Sequence, residues 1–303
     1  MRLGKTAALS HPGRRRRHNE DAYVVEPPLF AVADGMGGAK AGEVASGLAA
    51  AAVQESVNRD DSGEARVAAL IEEANRRVFR RAHEDRDASG MGTTMTVALV
   101  EDDHVAIGHV GDSRAYLIRG GQLEQLTDDH SLVAELVRSG KLTPEEAETH
   151  PQRSVITRAL GTEADVDVDT FSVEASPGDL FLLCSDGLTS MVDDETILGA
   201  VERTRPNLQE AAKALVSAAN RGGGEDNITV VFFEVSDESA EDTEDTVRTA
   251  RLSEGEDTMD EIDGQPLVAV AEPKRRGRAL PLLGALAVLL IIAAAILWLL
   301  GQS

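Results

Sequence analysis

Two hydrophobic rhythms share the chain up to Val235. Residues 43–56 and 65–83 place apolar or alanine side chains every three or four positions, with Glu72, Glu73, Arg76, Arg77 and Arg80 on the other face of the second stretch. Residues 208–220 repeat that pattern, and 130–140 predict a shorter amphipathic helix. Thr143-Pro144-Glu145-Glu146 reads as a helix start, with proline at the first helical position. Between these lie short β-prone runs: 29–33, 93–100, 105–110, 115–119, 180–184 and 228–235. Turns at 101–104 and 111–113 separate the middle runs, and Gly120-Gly121 signals a hairpin. Strands grouped between pairs of helices point to antiparallel sheets covered by helices.

Beyond Val235 the pattern stops. Residues 236–273 are rich in Asp, Glu and Thr and poor in apolar side chains, which predicts an acidic disordered linker. A basic segment follows at 274–278 (KRRGR), then an uncharged apolar stretch from 279 to 300. As a helix that stretch would be about 33 Å long, against a hydrocarbon core of about 30 Å. It is expected to be a transmembrane helix. The positive-inside rule then puts the basic flank, and the folded domain before it, in the cytoplasm.

Composition narrows the class. The chain has 303 residues, 42% hydrophobic but only 3% aromatic, so the core of the 1–235 domain must be aliphatic and alanine-rich. A net charge of −23 argues against nucleic acid as a partner. One cysteine, Cys184, excludes an intramolecular disulfide and suits a reducing compartment. The N-terminus has no apolar h-region, so no cleavable signal peptide is expected.

The informative chemistry lies where strands end. The run 29–33 stops at Asp34-Gly35, and Asn19-Glu20-Asp21 stands before it. Asp112 in Gly111-Asp112-Ser113-Arg114, Asp186 in Ser185-Asp186-Gly187 and Asp226 in Asp226-Asn227 each sit at the end or start of a strand-like run. Carboxylates gathered from such distant positions would repel one another without cations, so gathering implies metal.

These blocks, in this order, together with Gly92-Thr93-Thr94 and residues 150–161 (HPQRSVITRALG), resemble the bacterial PP2C-type metal-dependent serine/threonine protein phosphatases. The resemblance runs from about His11 to Val235. It implies a four-layer α/β/β/α sandwich of two antiparallel sheets flanked by helices. It implies two tightly bound Mn²⁺ or Mg²⁺ ions: Asp34 bridging, the Gly35 carbonyl on one ion, Asp186 and Asp226 completing the other. Glu20 and Asp21 would act mostly through bound waters. A third, weaker ion would sit at Asp112, with Ser154 nearby. Arg16, four residues before Glu20, would bind the phosphate. The segment up to Pro151 resembles a mobile flap. The implied activity is hydrolysis of phosphoserine and phosphothreonine on proteins, opposing a serine/threonine kinase.

One feature departs from many relatives. No histidine lies in the loop after Asp34, where Met36, Ala39 and Lys40 stand. A metal-bound water is then the first candidate for the proton donor, with His130 and His150 as alternatives. Rival readings fare worse. Cys184 lacks the arginine that a cysteine-phosphatase loop needs six residues on, where Ser190 stands. Ser113 in Gly-Asp-Ser lacks an Asp-x-x-His partner. The glycines at 35–42 match neither a dinucleotide nor a P-loop fingerprint.

Overall fold

Most interior strands are apolar on both faces because each lies between a helix layer and a second sheet. The computed structural model describes residues 2–37, 41–56 and 62–236. One sheet has the order β1-β11-β10-β7-β8, formed by Arg2–His11, Ile228–Ser236, Leu180–Cys184, Arg114–Arg119 and Gln122–Gln125. The other runs β2-β3-β5-β6-β9: Asp21–Glu26, Leu29–Met36, Met95–Val100, His104–Val110 and Asp169–Glu174. The short β4, Gly92–Thr93, pairs with β3. Every pairing is antiparallel.

Side-chain alternation sorts the core into three layers. In β3, Phe30 and Val32 meet the opposing sheet, whereas Leu29, Ala31 and Ala33 meet the helices α1 (Ala41–Gln54) and α2 (Gly63–Glu84). In β11, Val231, Phe233 and Val235 point between the sheets. Ile228, Val230 and Phe232 pack with α6 (Asp194–Thr204) and α7 (Leu208–Gly222). Phe233 lies at the centre of the inter-sheet layer, its ring stacked 4.4 Å from Phe30 and 4.9 Å from Phe181. Alanines at 45, 49 and 52 let α1 lie close on its sheet, which accounts for an alanine-rich core in a chain so poor in aromatics.

The expected two antiparallel sheets with flanking helices are thus present. The differences are local. The run 93–100 is two strands, because Thr94 leaves the ladder and donates its N–H to Asp34 O at 2.9 Å. The Gly120-Gly121 hairpin joins β7 to β8 as expected, although the bounds of β8 were not read; strands β1, β2 and β9 and the helices α5 (Asp186–Thr189) and α6 were not expected. The helix expected over 130–140 is the shorter α3, Leu132–Arg138, capped by Ser131 and burying no side chain. The helix α4, Pro144–Glu148, begins with a capping box between Thr143 and Glu146, as the Thr-Pro-Glu-Glu signal predicts.

The acidic linker, the basic segment and the transmembrane helix lie outside the described residues, apart from Ser236. Among the described residues no helix is long and apolar enough to cross a membrane.

Phe233→Ala would remove the ring that links the sheets and should lower stability by about 3–5 kcal/mol. Urea unfolding of the variant checks this, and an unchanged midpoint would contradict the packing described.

Candidate metal centre

The site begins with an unfavourable pairing. Asp21 on β2 and Asp34 on β3 are direct cross-strand partners, and like charges in that position repel. Neutral donors hold both. Asp21 Oδ2 accepts hydrogen bonds from Ser185 Oγ at 2.8 Å and Thr229 Oγ1 at 2.6 Å. The Asp34 backbone is pinned from three sides: its N–H donates to Thr94 Oγ1 at 3.0 Å, and its carbonyl accepts from Thr93 Oγ1 at 2.8 Å and from Thr94 N–H at 2.9 Å. Thr94 Oγ1 meets Ser113 Oγ at 2.8 Å, which ties this strand tip to the Gly111–Arg114 turn. Gly35 follows in a gap too narrow for any side chain. A Cβ there would lie 2.2 Å from Gly42 O and 2.5 Å from Glu20 O.

The other sheet supplies the opposite wall. Asp186 opens α5 directly after β10, and Asp226 precedes β11. Asn227 binds the segments together. Its Oδ1 accepts from Glu20 N–H at 2.7 Å, and its Nδ2 donates to Pro12 O at 3.1 Å and His18 O at 3.0 Å. The close approach of Gly187 to Asn227 leaves room only for glycine, since a Cβ would stand 1.9 Å from Asn227 O. Asp112 is buried nearby.

Electrostatics show what the cluster lacks. Burial, then the neighbouring acids Asp186 and Asp226, push Asp21 up to about 7 despite its two hydroxyl donors. Asp112 rises to about 7 through burial and through Asp186 and Asp129. Asp34 is held well above the ordinary carboxylate range by burial and by Asp21, Asp186, Asp112 and Asp226. Burial and Asp226 also raise Asp186. Asp21 Oδ1 and Asp186 Oδ1 are buried without a hydrogen-bond partner. Unpartnered carboxylate oxygens among mutually repelling acids fit hard divalent cations. The carboxylates do not close into a finished shell: among the described residues no group of three or more acids, histidines or cysteines stands in ligand geometry. At the exposed edge of the cluster Arg16 Nη2 holds Asp226 Oδ2 at 2.6 Å. Burial would lower the pKa of Arg16, but the Asp226 carboxylate outweighs it and raises it. Glu20 is raised by burial, against the charge of Arg16.

The structure therefore brings Arg16, Glu20, Asp21, Asp34, Gly35, Asp112, Asp186 and Asp226 to one end of the two sheets. Other candidates fall elsewhere. His130 is buried, with both ring nitrogens committed: Nδ1 accepts from Gly111 N–H at 3.0 Å, and Nε2 meets Asp169 at 3.1 Å. It holds the Gly111 turn and presents no free proton to a substrate. His150 Nδ1 accepts from Gln152 N–H at 3.1 Å within its own turn. Ser154 is exposed and makes no hydrogen bond to Asp112 among the described residues. Ser113 is fully buried against Thr94, which excludes it as an esterase nucleophile. Cys184 is buried in β10, and burial pushes its thiol up to about 12.

Sequence reasoning missed the neutral holders Ser185, Asn227 and Thr229 and the role of Thr93 and Thr94. It also missed Asp129, which grips Arg114 in a two-point pair at 2.8 and 2.7 Å. The dipeptides Thr93-Thr94 and Asp226-Asn227 were the available signal.

Comparison with known proteins gives a consistent result. The family described as Protein phosphatase 2C matches residues 13–219. The serine/threonine protein phosphatase PstP of Mycobacterium tuberculosis is 45% identical over 233 residues, covering 76% of this chain and 45% of that protein. The chain thus spans less than half the length of that relative. The serine/threonine phosphatase stp of Listeria monocytogenes is 42% identical, covering 73% of this chain and 92% of that protein. A crystal structure of the catalytic domain of a serine/threonine protein phosphatase PstP in complex with two manganese ions superposes with a TM-score of 0.71 at 42% identity, covering 78% of this chain and 99% of that one.

The raised carboxyl groups make a stability prediction. Folded-state values near 7 for Asp21 and Asp112, against 3.8 ordinarily, mean that the folded chain binds more protons than the unfolded chain between those values. Their contribution is present at low pH and is lost as pH rises through about 7. Burial lowers His109 to about 4, an effect that opposes this only below its ordinary 6.5. In EDTA the melting temperature should therefore fall between pH 6.5 and 8.5, by about 2–4 °C for each kcal/mol lost. Added Mn²⁺ should raise it more at pH 8.5 than at 6.5. A melting temperature in EDTA that rises over this window would contradict the shifts.

Proposed function

The chain belongs to the protein phosphatase 2C family, and from that premise we propose that it hydrolyses phosphoserine and phosphothreonine on proteins. The observation that carries this reading is the cluster of Asp21, Asp34, Asp112 and Asp186 with its unpartnered buried oxygens. Glu20, Asp21, Asp34, the Gly35 carbonyl, Asp186 and Asp226 would hold two divalent ions, and Asp112 a third. An all-oxygen donor set suits Mn²⁺ or Mg²⁺. Once bound, such ions lower the pKa of water and neutralise charge on a phosphoryl group.

The chain's own residues do the rest by placement. Arg16 offers a planar fork to two phosphate oxygens, a grip that an ammonium cannot make. Its present partner Asp226 keeps the guanidinium at the cluster, where a phosphate would be received. Thr93 and Thr94 fix the Asp34 backbone, and Ser185 and Thr229 hold Asp21 Oδ2 while its Oδ1 stays unpartnered, so that both acids are positioned before a substrate arrives. With His130 committed internally, the leaving alkoxide takes its proton from water in the site.

The natural partners are phosphorylated proteins, among them a serine/threonine kinase and that kinase's targets. The uncharged run 279–300 and its basic flank support a single membrane span with the catalytic domain in the cytoplasm. The linker, with Asp and Glu in excess of Arg, would hold the domain off an anionic membrane surface.

Turnover of p-nitrophenyl phosphate should require Mn²⁺ or Mg²⁺. Asp34→Asn and Asp186→Asn should each reduce it at least 100-fold, while Asp112→Asn should cost much less. Arg16→Ala should raise KM and lower kcat, with Arg16→Lys restoring only part. Full activity in excess EDTA would sink the mechanism.

A further inference from the structure

The arginine run at residues 14–17 is only partly used by the site described above. Arg14 is tied to the end of α7: its Nη1 donates to Asn220 O at 3.4 Å. The backbone N–H groups of Arg14 and Arg15 both donate to Gly224 O, at 2.7 and 3.2 Å. Arg16 meets Asp226. The side chains of Arg15 and Arg17 are exposed, and no carboxylate among the described residues pairs with either. Two free guanidinium groups therefore flank, in sequence, the arginine that reaches the carboxylate cluster.

Folding gives no return for this arrangement. Adjacent arginines repel one another, and these two gain no partner. Solubility does not call for them either, since a net charge of −23 already keeps the chain apart from its copies. What they do provide is positive potential on the same short segment that carries Arg16 to a cluster of acids. A second negative group on a substrate would find there exposed guanidinium groups that no carboxylate among the described residues already holds.

We infer that Arg15 and Arg17 form an anion subsite selecting phosphoprotein segments that carry a second negative group, a carboxylate or a second phosphate, close to the phosphate being removed. This rests on the phosphatase reading above and names its substrate class. The spacing follows from chain geometry. Neighbouring Cα atoms on the enzyme are about 3.8 Å apart, and an extended peptide advances about 3.3 Å per residue. A group two to four residues from the scissile phosphate is then about 7–13 Å away, within the sweep of side chains that flank Arg16. Guanidinium pairs bidentately with either group, and a phosphate carries about −1.5 to −2 charge against −1, so a second phosphate should be favoured over a carboxylate.

The test compares kcat/KM of the Mn²⁺-loaded full chain on three matched phosphothreonine peptides: neutral flanks, acidic residues two to four positions away, and a second phosphothreonine at the same distance. The wild type should prefer the charged peptides by about three- to tenfold, mainly through KM, as expected of solvent-exposed ion pairs. The preference should shrink as salt is raised. Arg15→Ala with Arg17→Ala should abolish it without changing turnover of p-nitrophenyl phosphate, and Arg15→Lys with Arg17→Lys should keep the preference for acidic flanks. Equal kcat/KM on all three peptides, or a preference that survives the double alanine variant, would overturn the subsite alone. Absence of p-nitrophenyl phosphate turnover would overturn the phosphatase reading and this subsite with it.

Discussion

Asp21 and Asp34 face each other across two hydrogen-bonded strands, close to Asp186 and Asp112, in a setting that disfavours their charges. Much of the local structure serves to keep them there. One sheet contributes the β2–β3 pair, and the other brings the end of β10 and the start of β11 alongside. The inter-sheet layer around Phe233 holds the two pieces in register. Without that rigid frame the acids would move apart until water screened them, and the cluster would be lost.

The frame acts through neutral groups. Threonine, serine and asparagine side chains grip the backbone of Asp34 and Glu20 and one oxygen of Asp21, while Asp21 Oδ1 and Asp186 Oδ1 stay buried and unpartnered. Glycines at 35 and 187 remove the side chains that would hold the walls apart. Arg16 supplies a single positive charge against several negative ones, and it does so at the exposed edge. The balance of charge is left for cations. A fold that stores this much repulsion is less stable without metal than the same frame with neutral residues in place of the acids, which is a common cost of a preorganised site.

What could be read from sequence follows from burial. Strands β3, β5, β6, β7, β10 and β11 were legible because they run through sheet interiors, where both faces are apolar. Strands β1, β2, β8 and β9 were not, and these four are the edges of the two sheets. Edge strands such as Asp169–Glu174 carry polar and half-exposed residues that blunt further pairing, and this erases the alternation by which strands are recognised. The acids of the site were legible because a carboxylate at a strand tip is an exception that needs a reason. Ser185, Asn227 and Thr229 were not, since such residues occupy turns and caps throughout any chain and acquire a role only from their neighbours in space. The burial of His130 was equally hidden: nothing local in residues 128–132 announces that its ring closes onto the Gly111 turn and Asp169.

The central claim is that the carboxylates are gathered to hold divalent cations, and counting bound ions tests it most directly. Calorimetric titration of Mn²⁺ into the metal-stripped full chain should show at least two ions bound per chain, and Asp34→Asn should weaken both of the tighter sites together, as expected of a carboxyl group that the proposed sites would share. A wild-type chain that takes up no manganese, or an Asp34→Asn variant that binds it with unchanged stoichiometry and affinity, would contradict the account.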